Sequence, residues 1–420
     1  MSGPEKLAHL AGSEQPVLLD MCRLLWPQPA EISVGHGAPE SLPAAGTDGA
    51  WSQTAEFILI PGLRRPPLLV PAGSHVAAAA VRHFSGQRSR TARLTNKLFS
   101  LALDSGLGDA MFRERVTMNV PAGTDTIQRY LSDVLSSDVQ VSMYLGPARA
   151  NRKPVLQFLS PTGQAVAFAK VGVNPLTSQL VRAEHAVLTR LGRANLPGIT
   201  IPRVLHCDRW NGLDVLVLSA LPAWLNHRPP RPAQLAEGMV TVARVDGLHA
   251  EPLLGSDYIR LLRTRLTDGA ESLARALLLQ LVDDLVDRVG DQVLTFGSWH
   301  GDWTPWNMAS TADELLVWDW ERYTSGVPVG YDALHYQLQT EVGPGHRDPM
   351  AAAAACLDNA DQLLAPFGVP AGPTARVTAL LYLADLATRY LIDQQAKAGA
   401  QNGDPASWLI PTISREIGRL

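Results

Sequence analysis

The sequence predicts an α+β protein: a sheet-rich part followed by a helical part, with an additional α/β segment in front of both. Three observations carry this. Residues 139–171 hold three short apolar runs that alternate or break at turn residues, the pattern of half-buried strands. Residues 232–397 place apolar side chains at helical spacing over most of their length. Near Asp125 the pattern changes, which separates these two parts from what precedes them.

Residues 1–50 are weakly patterned, with one apolar piece at 17–26 and a Gly/Pro/Ser-rich stretch at 35–49. Residues 55–61 and 68–71 flank the Pro/Arg turn 63–67 and read as a strand pair. Residues 74–84 and 90–103 follow as helices, with Leu94, Leu98 and 101–103 on the helical period. The cluster Arg82, Arg88, Arg90, Arg93 and Lys97 reads first as a solvated helix face and second as a site for an anion or partner. Residues 1–124 show no repeat and no catalytic motif, and form an N-terminal extension without an assigned role.

A short helix at 126–135 leads into strands at 139–145, 154–159 and 165–171, the last two joined by the turn Ser160-Pro161-Thr162-Gly163. The three read as an antiparallel meander. A helix at 179–191 is capped by Thr177 or Ser178, and strands at 204–207 and 214–218 complete a sheet-rich lobe over 125–222. Proline at 222 and the Pro-rich run 228–232 mark its exit. Helices are expected at 232–249, 257–266, 269–288, 350–365 and 373–397, giving a helical lobe over 223–420. Loops and short strands interrupt it at 298–321.

Composition bounds the class. The apolar fraction of 46% supports a sizeable core, and a net charge of −4 gives no steering toward nucleic acid or an anionic membrane. Cys22, Cys207 and Cys356 are isolated, which argues against a disulfide framework or a zinc site. No signal sequence is read at 1–15, and apolar stretches are broken by charge before the ~20 residues of a membrane span. A soluble, cytoplasmic protein is the plain expectation.

Phosphoryl transfer requires a positioned nucleophile, cations held against phosphates, and a positive group reaching the nucleotide. The segment His300-Gly301-Asp302-Trp303-Thr304-Pro305-Trp306-Asn307 sets Asp302 and Asn307 at the D-x-x-x-x-N spacing of a phosphoryl-transfer loop. Asp302 is suited to accept or orient an acceptor hydroxyl proton, and the Asn307 amide oxygen to meet a metal. Asp319 follows the apolar run Leu315-Leu316-Val317-Trp318, which can hold a carboxylate rigidly for a second metal contact. Few oxygen ligands, completed by phosphate and water, suit Mg²⁺. Turn and cap roles are the bland reading of both aspartates; their joint occurrence with the spaced Asn and the preceding His-Gly favours chemistry.

These residues, with Trp318-Asp319-Trp320-Glu321, resemble the aminoglycoside phosphotransferase-like family, a small-molecule kinase branch of the protein-kinase-like fold. The resemblance spans roughly 139–420 and implies a two-lobed fold using ATP and Mg²⁺ to phosphorylate a hydroxyl of a small molecule, be it an aminoglycoside-like compound, an amino alcohol, a sugar or another metabolite. It implies Asp302 as catalytic residue, Asn307 and Asp319 as magnesium ligands, and a structural role for Asp332 in Gly330-Tyr331-Asp332. Lys170, among very few lysines, ends the third strand of the meander, where an ammonium suits nucleotide phosphates. Glu184, on the next helix, lies where the family pairs a carboxylate with that lysine. The phosphate loop is thin: Gly146 stands in 145–153 without a G-x-G-x-x-G, and Arg149, Arg152 or Lys153 adds charge there or is solvated. Ser219 and Leu221 occupy the hinge position whose backbone would bond adenine.

The acidic run Asp283-Asp284-Leu285-Val286-Asp287 reads as a solvated face before it reads as an attractor of a cationic acceptor. Asp257, Glu321, Asp332 and Trp306 lie nearer the chemistry by family position, and Glu321 and Trp306 rank as cleft residues. The alternatives are a catalytically weak kinase-like binding or regulatory module, motivated by the missing glycines, and a phosphotransferase that reaches a carrier-bound substrate through residues 1–124. No nucleic-acid or membrane partner is expected.

Overall fold

The computed structural model describes residues 14–36, 51–60, 68–85, 90–224, 229–268, 272–343 and 348–420. The turn 63–67, Arg88 and the side chains of Arg90 and Arg93 fall outside the described residues. The chain divides into two compact units, one of residues 1–147, 152–181 and 204–224, the other of residues 148–151, 182–203 and 225–420.

In chain order the first stretch supplies α1 (Glu14–Leu25), β1 (Glu31–His36), β2 (Trp51–Ile60), β3 (Leu68–Pro71), α2 (Ser74–Ser85), α3 (Arg90–Asp104), α4 (Gly108–Met111) and β4 (Glu114–Pro121). There follow α5 (Ile127–Leu135), β5 (Gln140–Leu145), β6 (Pro154–Leu159), β7 (Ala165–Gly172), α6 (Pro175–Leu191), β8 (Ile199–Thr200), β9 (Val204–Trp210) and β10 (Leu213–Ser219). Thr126, read as the first residue of the helix, instead caps α5, its side chain accepting from Arg129 N.

The first unit is one nine-stranded sheet in the order β1-β4-β2-β3-β5-β6-β7-β10-β9. The expected meander is present as β5, β6 and β7, paired antiparallel with Val155 opposite Lys170. The strands of residues 1–124 lie in the same sheet, because β3 pairs with β5 at Leu68–Tyr144 and Leu69–Met143. Sequence periodicity did not show β1 or β4. Two cores cover the sheet: Trp26, Phe57, Met118, Met143, Phe158 and Val217 belong to one, and Ile58, Val70, Val81, Leu103 and Phe112 to the other. Successive residues of β2, Phe57 and Ile58, enter different cores, the consequence of the two-residue strand period.

The second unit continues with α7 (Pro232–Arg244), β11 (His249–Pro252), α8 (Asp257–Thr267), α9 (Leu273–Val289), β12 (Val293–Trp299), β13 (Met308–Ser310), β14 (Leu315–Val317) and β15 (Thr324–Pro328). It ends with α10 (Tyr331–Val342), α11 (Pro349–Asp358), α12 (Ala360–Leu364), α13 (Pro373–Ile392) and α14 (Leu409–Ile417). Helices dominate, as expected, around a core that includes Leu262, Val282, Phe296, Leu334, Leu381 and Ile413. Several expected helices are shorter. The one read at 232–249 stops at Arg244, since 249–252 pair with β12. The one at 350–365 breaks at Asn359, and the one at 373–397 ends at Ile392, before Gln394 turns to a φ of 55°. Two small sheets, β11-β12-β15 and β13-β14-β8, present the loop between β12 and β13.

Candidate active site

The loop is set by a glycine. Gly301 has a φ of +83°, and a Cβ there would lie 2.2 Å from the Arg322 carbonyl oxygen, so no other residue fits without moving backbone. On either side, the buried Asp332 carboxylate accepts the backbone N–H groups of His300 (2.8 Å) and Gly301 (3.2 Å). Burial pushes the Asp332 carboxyl up to about 7, against the pull of those two donors. Arg389 Nη1 donates to the Gly301 carbonyl at 2.5 Å. Asp332 thus shapes the loop from the first turn of α10.

His300 is fully buried and ties the loop to the strand beyond it. Asp302 N donates to its Nδ1 (3.2 Å), so Nε2 carries the proton and donates to the Trp318 carbonyl (3.1 Å). Burial lowers the imidazole to about 4, so it is neutral near pH 7.

Asp302 and Asn307 meet across the loop. Asn307 Nδ2 donates to Asp302 Oδ2 (2.8 Å) and to its backbone carbonyl (3.0 Å), leaving the amide oxygen for another contact. His335 Nε2 lies 3.1 Å from Asp302 Oδ1. Burial alone would raise the Asp302 carboxyl. The hydrogen bond from His335 and the positive charges of Arg389 and Arg149 outweigh it and hold the group well below the usual carboxylate range. Its side chain is 29% exposed, so the anion is supported from behind and open in front.

The strand pair β13–β14 brings the second metal candidate alongside. Met308 faces Val317, and Trp318 N donates to the Asn307 carbonyl (3.1 Å), so Asp319 follows directly on the residue bonded to Asn307. Asp319 adopts a left-handed backbone, φ 71° and ψ 53°, uncommon outside glycine and most tolerable for Asp and Asn. Just after it Trp320 N donates to Glu184 Oε1 (3.2 Å). Carboxylate oxygens of Glu184, Asp319 and Glu321 lie within 4.8 Å of one another. These three offer an all-oxygen donor set, which fits a hard divalent cation such as Mg²⁺ rather than a thiophilic one. Glu321 also accepts from Asn151 Nδ2 (3.4 Å), and Ala150 N donates to Gln395 Oε1 (3.2 Å).

Asp302, Asn307, Asp319 and Glu184 therefore all belong to the second unit. Lys170, Gly146, Ser219 and Leu221 belong to the first. Lys170 is buried on β7 opposite Leu216 of β10, and Ser219 ends β10 opposite Ala167. Gly146 has open space where a Cβ would stand and no left-handed φ, so its backbone does not demand glycine. The Leu221 carbonyl accepts from Ala223 N (2.7 Å). Asp283 pairs with Arg263 and Asp284 with Gln280, which accounts for the acidic run on α9 as a helix face with local partners. Asp257 is exposed on α8 beside Arg260. Arg82 bonds Ser100 and Asp104. Sequence reasoning missed His335. Its signal was present: three residues after Asp332 on a helix, it shares that residue's face.

No protein family and no curated protein matches the chain. Its fold is similar to solved small-molecule kinases. The aminoglycoside phosphotransferase APH(4)-Ia aligns at 14% identity over 70% of this chain and 97% of its own, with a TM-score of 0.46. An amicoumacin kinase, solved in complex with AMP-PNP, Ca²⁺ and Ami, aligns at 12% identity over 67% of this chain and 88% of its own, with a TM-score of 0.39. A choline/ethanolamine kinase family protein from Mesorhizobium loti aligns at 15% identity over 63% and 88%, with a TM-score of 0.37. The functional reading rests on the residues of this chain.

Proposed function

We propose that the protein is an ATP- and Mg²⁺-dependent phosphotransferase that moves the γ-phosphoryl group to a hydroxyl of a small molecule. One observation carries the reading: an ionised, partly exposed Asp302 is held by Asn307 in the loop that leads into the carboxylates of Asp319 and Glu321, which cluster with Glu184. Phosphoryl transfer asks the protein for positioning and charge more than for covalent chemistry, and this arrangement offers both.

In this reading Asp302 accepts a hydrogen bond from the acceptor hydroxyl and aims its lone pair along the line of attack. A carboxyl so acidic is a weak base, so it orients the hydroxyl and takes its proton only as the oxygen–phosphorus bond forms. Asn307 and Asp319 would hold the metal, with Glu321 and Glu184 adjacent. Bound Mg²⁺ would neutralise phosphate charge. Lys170 is assigned to the nucleotide phosphates, and the backbone near Ser219 and Leu221 to the adenine edge. His300 and Asp332 keep the loop in shape.

The test is an ATP-consumption screen over hydroxyl-bearing compounds (aminoglycosides, amino alcohols, sugars), read by the mass gain of phosphorylation. At least one acceptor should gain a phosphoryl group in the presence of Mg²⁺, and Asp302→Asn should remove that gain. Turnover by Asp302→Asn at the wild-type rate would refute the assignment.

A further inference from the structure

Asp302 is gripped from a side that no substrate reaches. His335 on α10 is 1% exposed and Tyr382 on α13 is fully buried, and the two stand in series behind the carboxylate. His335 Nδ1 lies 3.0 Å from Tyr382 Oη and its Nε2 lies 3.1 Å from Asp302 Oδ1. Because an ionised carboxylate only accepts, Nε2 must carry the hydrogen. In the neutral ring Nδ1 is then bare, so the Tyr382 hydroxyl donates to it. The chain has one direction, Tyr382 O–H to His335 to Asp302.

We propose that His335, set by Tyr382, is a positioning residue that fixes the rotation of the Asp302 carboxylate for transfer, an inference that rests on the phosphotransferase reading above. Asn307 engages Oδ2 and His335 engages Oδ1, so each oxygen has one donor and the plane of the carboxylate cannot turn. One lone pair per oxygen remains for an incoming hydroxyl. The imidazole itself packs nearly perpendicular to the rings of Trp299 and Tyr382, and its burial between them restricts its rotation. Without His335 the carboxylate would swing about Asn307 alone, and the buried Tyr382 hydroxyl would lose its acceptor. Misplacing a reacting group by about 1 Å can cost on the order of 100-fold in rate.

The test uses the full chain, MgATP and the fastest acceptor of the screen. His335→Leu should lower kcat by about 100-fold with the KM for ATP unchanged. His335→Gln, whose amide can donate to Asp302 and accept from Tyr382, should recover most of that loss, and Tyr382→Phe should fall between. A folded His335→Leu with wild-type kcat, or a His335→Gln no better than His335→Leu, overturns the proposal. Nitrogen-15 resonance of labelled protein supplies a second readout that needs no turnover and no leucine variant. His335 should appear as the neutral Nε2–H form, with a signal that moves in Asp302→Asn. An Nδ1–H form, or a signal indifferent to Asp302→Asn, also overturns it. Absence of phosphorylation with every acceptor would instead sink the phosphotransferase reading, leaving the grip on Asp302 to be decided by the resonance pattern.

Discussion

Gly301 and Asp319 sit in the left-handed backbone region on either side of Asn307, one because a Cβ has no room and the other in spite of having one. Gly301→Ala should therefore cost at least about 2 kcal/mol, from the forced φ and the contact with the Arg322 carbonyl. A urea midpoint would register it, and turnover should vanish with the loop. Two histidines weaken the fold in acid, and Asp332, raised to about 7, opposes them over the same pH range. His300 and His83 are each lowered to about 4 by burial, His83 also by Arg82, and Gln157 Nε2 donates to His83 Nδ1 (2.7 Å). Each folded value lies below the unfolded one near 6.5, so between those pH values the unfolded chain binds protons that the folded chain refuses. Their contribution is then fully present above pH ~6.5 and falls as pH drops toward 4, by roughly 2–3 kcal/mol for His300 and less for the partly exposed His83. Because Asp332 acts in the opposite sense, the histidine contribution is read by comparison: on going from pH 7.5 to 5.0 the melting temperature of His83→Gln should change more favourably than that of the unmutated chain.

At the scale of elements, the site depends on what β13–β14 and α6 bring together. Asp319, Glu321 and Glu184 are far apart in sequence in one case and share a cluster only 4.8 Å across. Carboxylates so close repel unless a cation or proton intervenes. Asp319→Asn, which keeps shape and tolerates the left-handed backbone, should leave the metal-free melting temperature unchanged or higher. It should also abolish the Mg²⁺-dependent shift given by AMP-PNP, which at 100 times Kd amounts to about 2.7 kcal/mol in the unmutated chain. A retained shift would remove Asp319 from the metal site. Much of this was legible beforehand: Asp302, Asn307 and Asp319 follow from spacing and an apolar run. Glu184 was read only as a partner for Lys170, because a helix period tells which face a residue takes and not which loop that face meets.

At the scale of the whole molecule, residues 1–124 contribute four strands to the nine-stranded sheet and most of one of its two cores. Trp26, Phe57, Leu69 and Met118 are among the side chains they place in the other core. Burying each such side chain contributes about 1.5–3 kcal/mol. Losing these four alone removes about 6–12 kcal/mol, comparable to the roughly 5–15 kcal/mol that a folded protein has in reserve. A chain of residues 125–420 should aggregate, or keep a first unit without cooperative melting; a monomeric, cooperatively folding fragment would contradict this.

Local structure was readable from order alone. The meander of β5–β7, the helical stretch after residue 232 and the Asp302–Asn307 pair each depend on residues within a few positions of one another, where period, turn residues and spacing act directly. The edge contact of β3 with β5, the gathering of Glu184 with Asp319 and the hold of Tyr382 and His335 on Asp302 depend on residues tens to more than a hundred positions apart. Backbone hydrogen bonding can join any two strands of suitable length, and a buried histidine takes whichever partner packing presents. Those choices were made by burial in three dimensions.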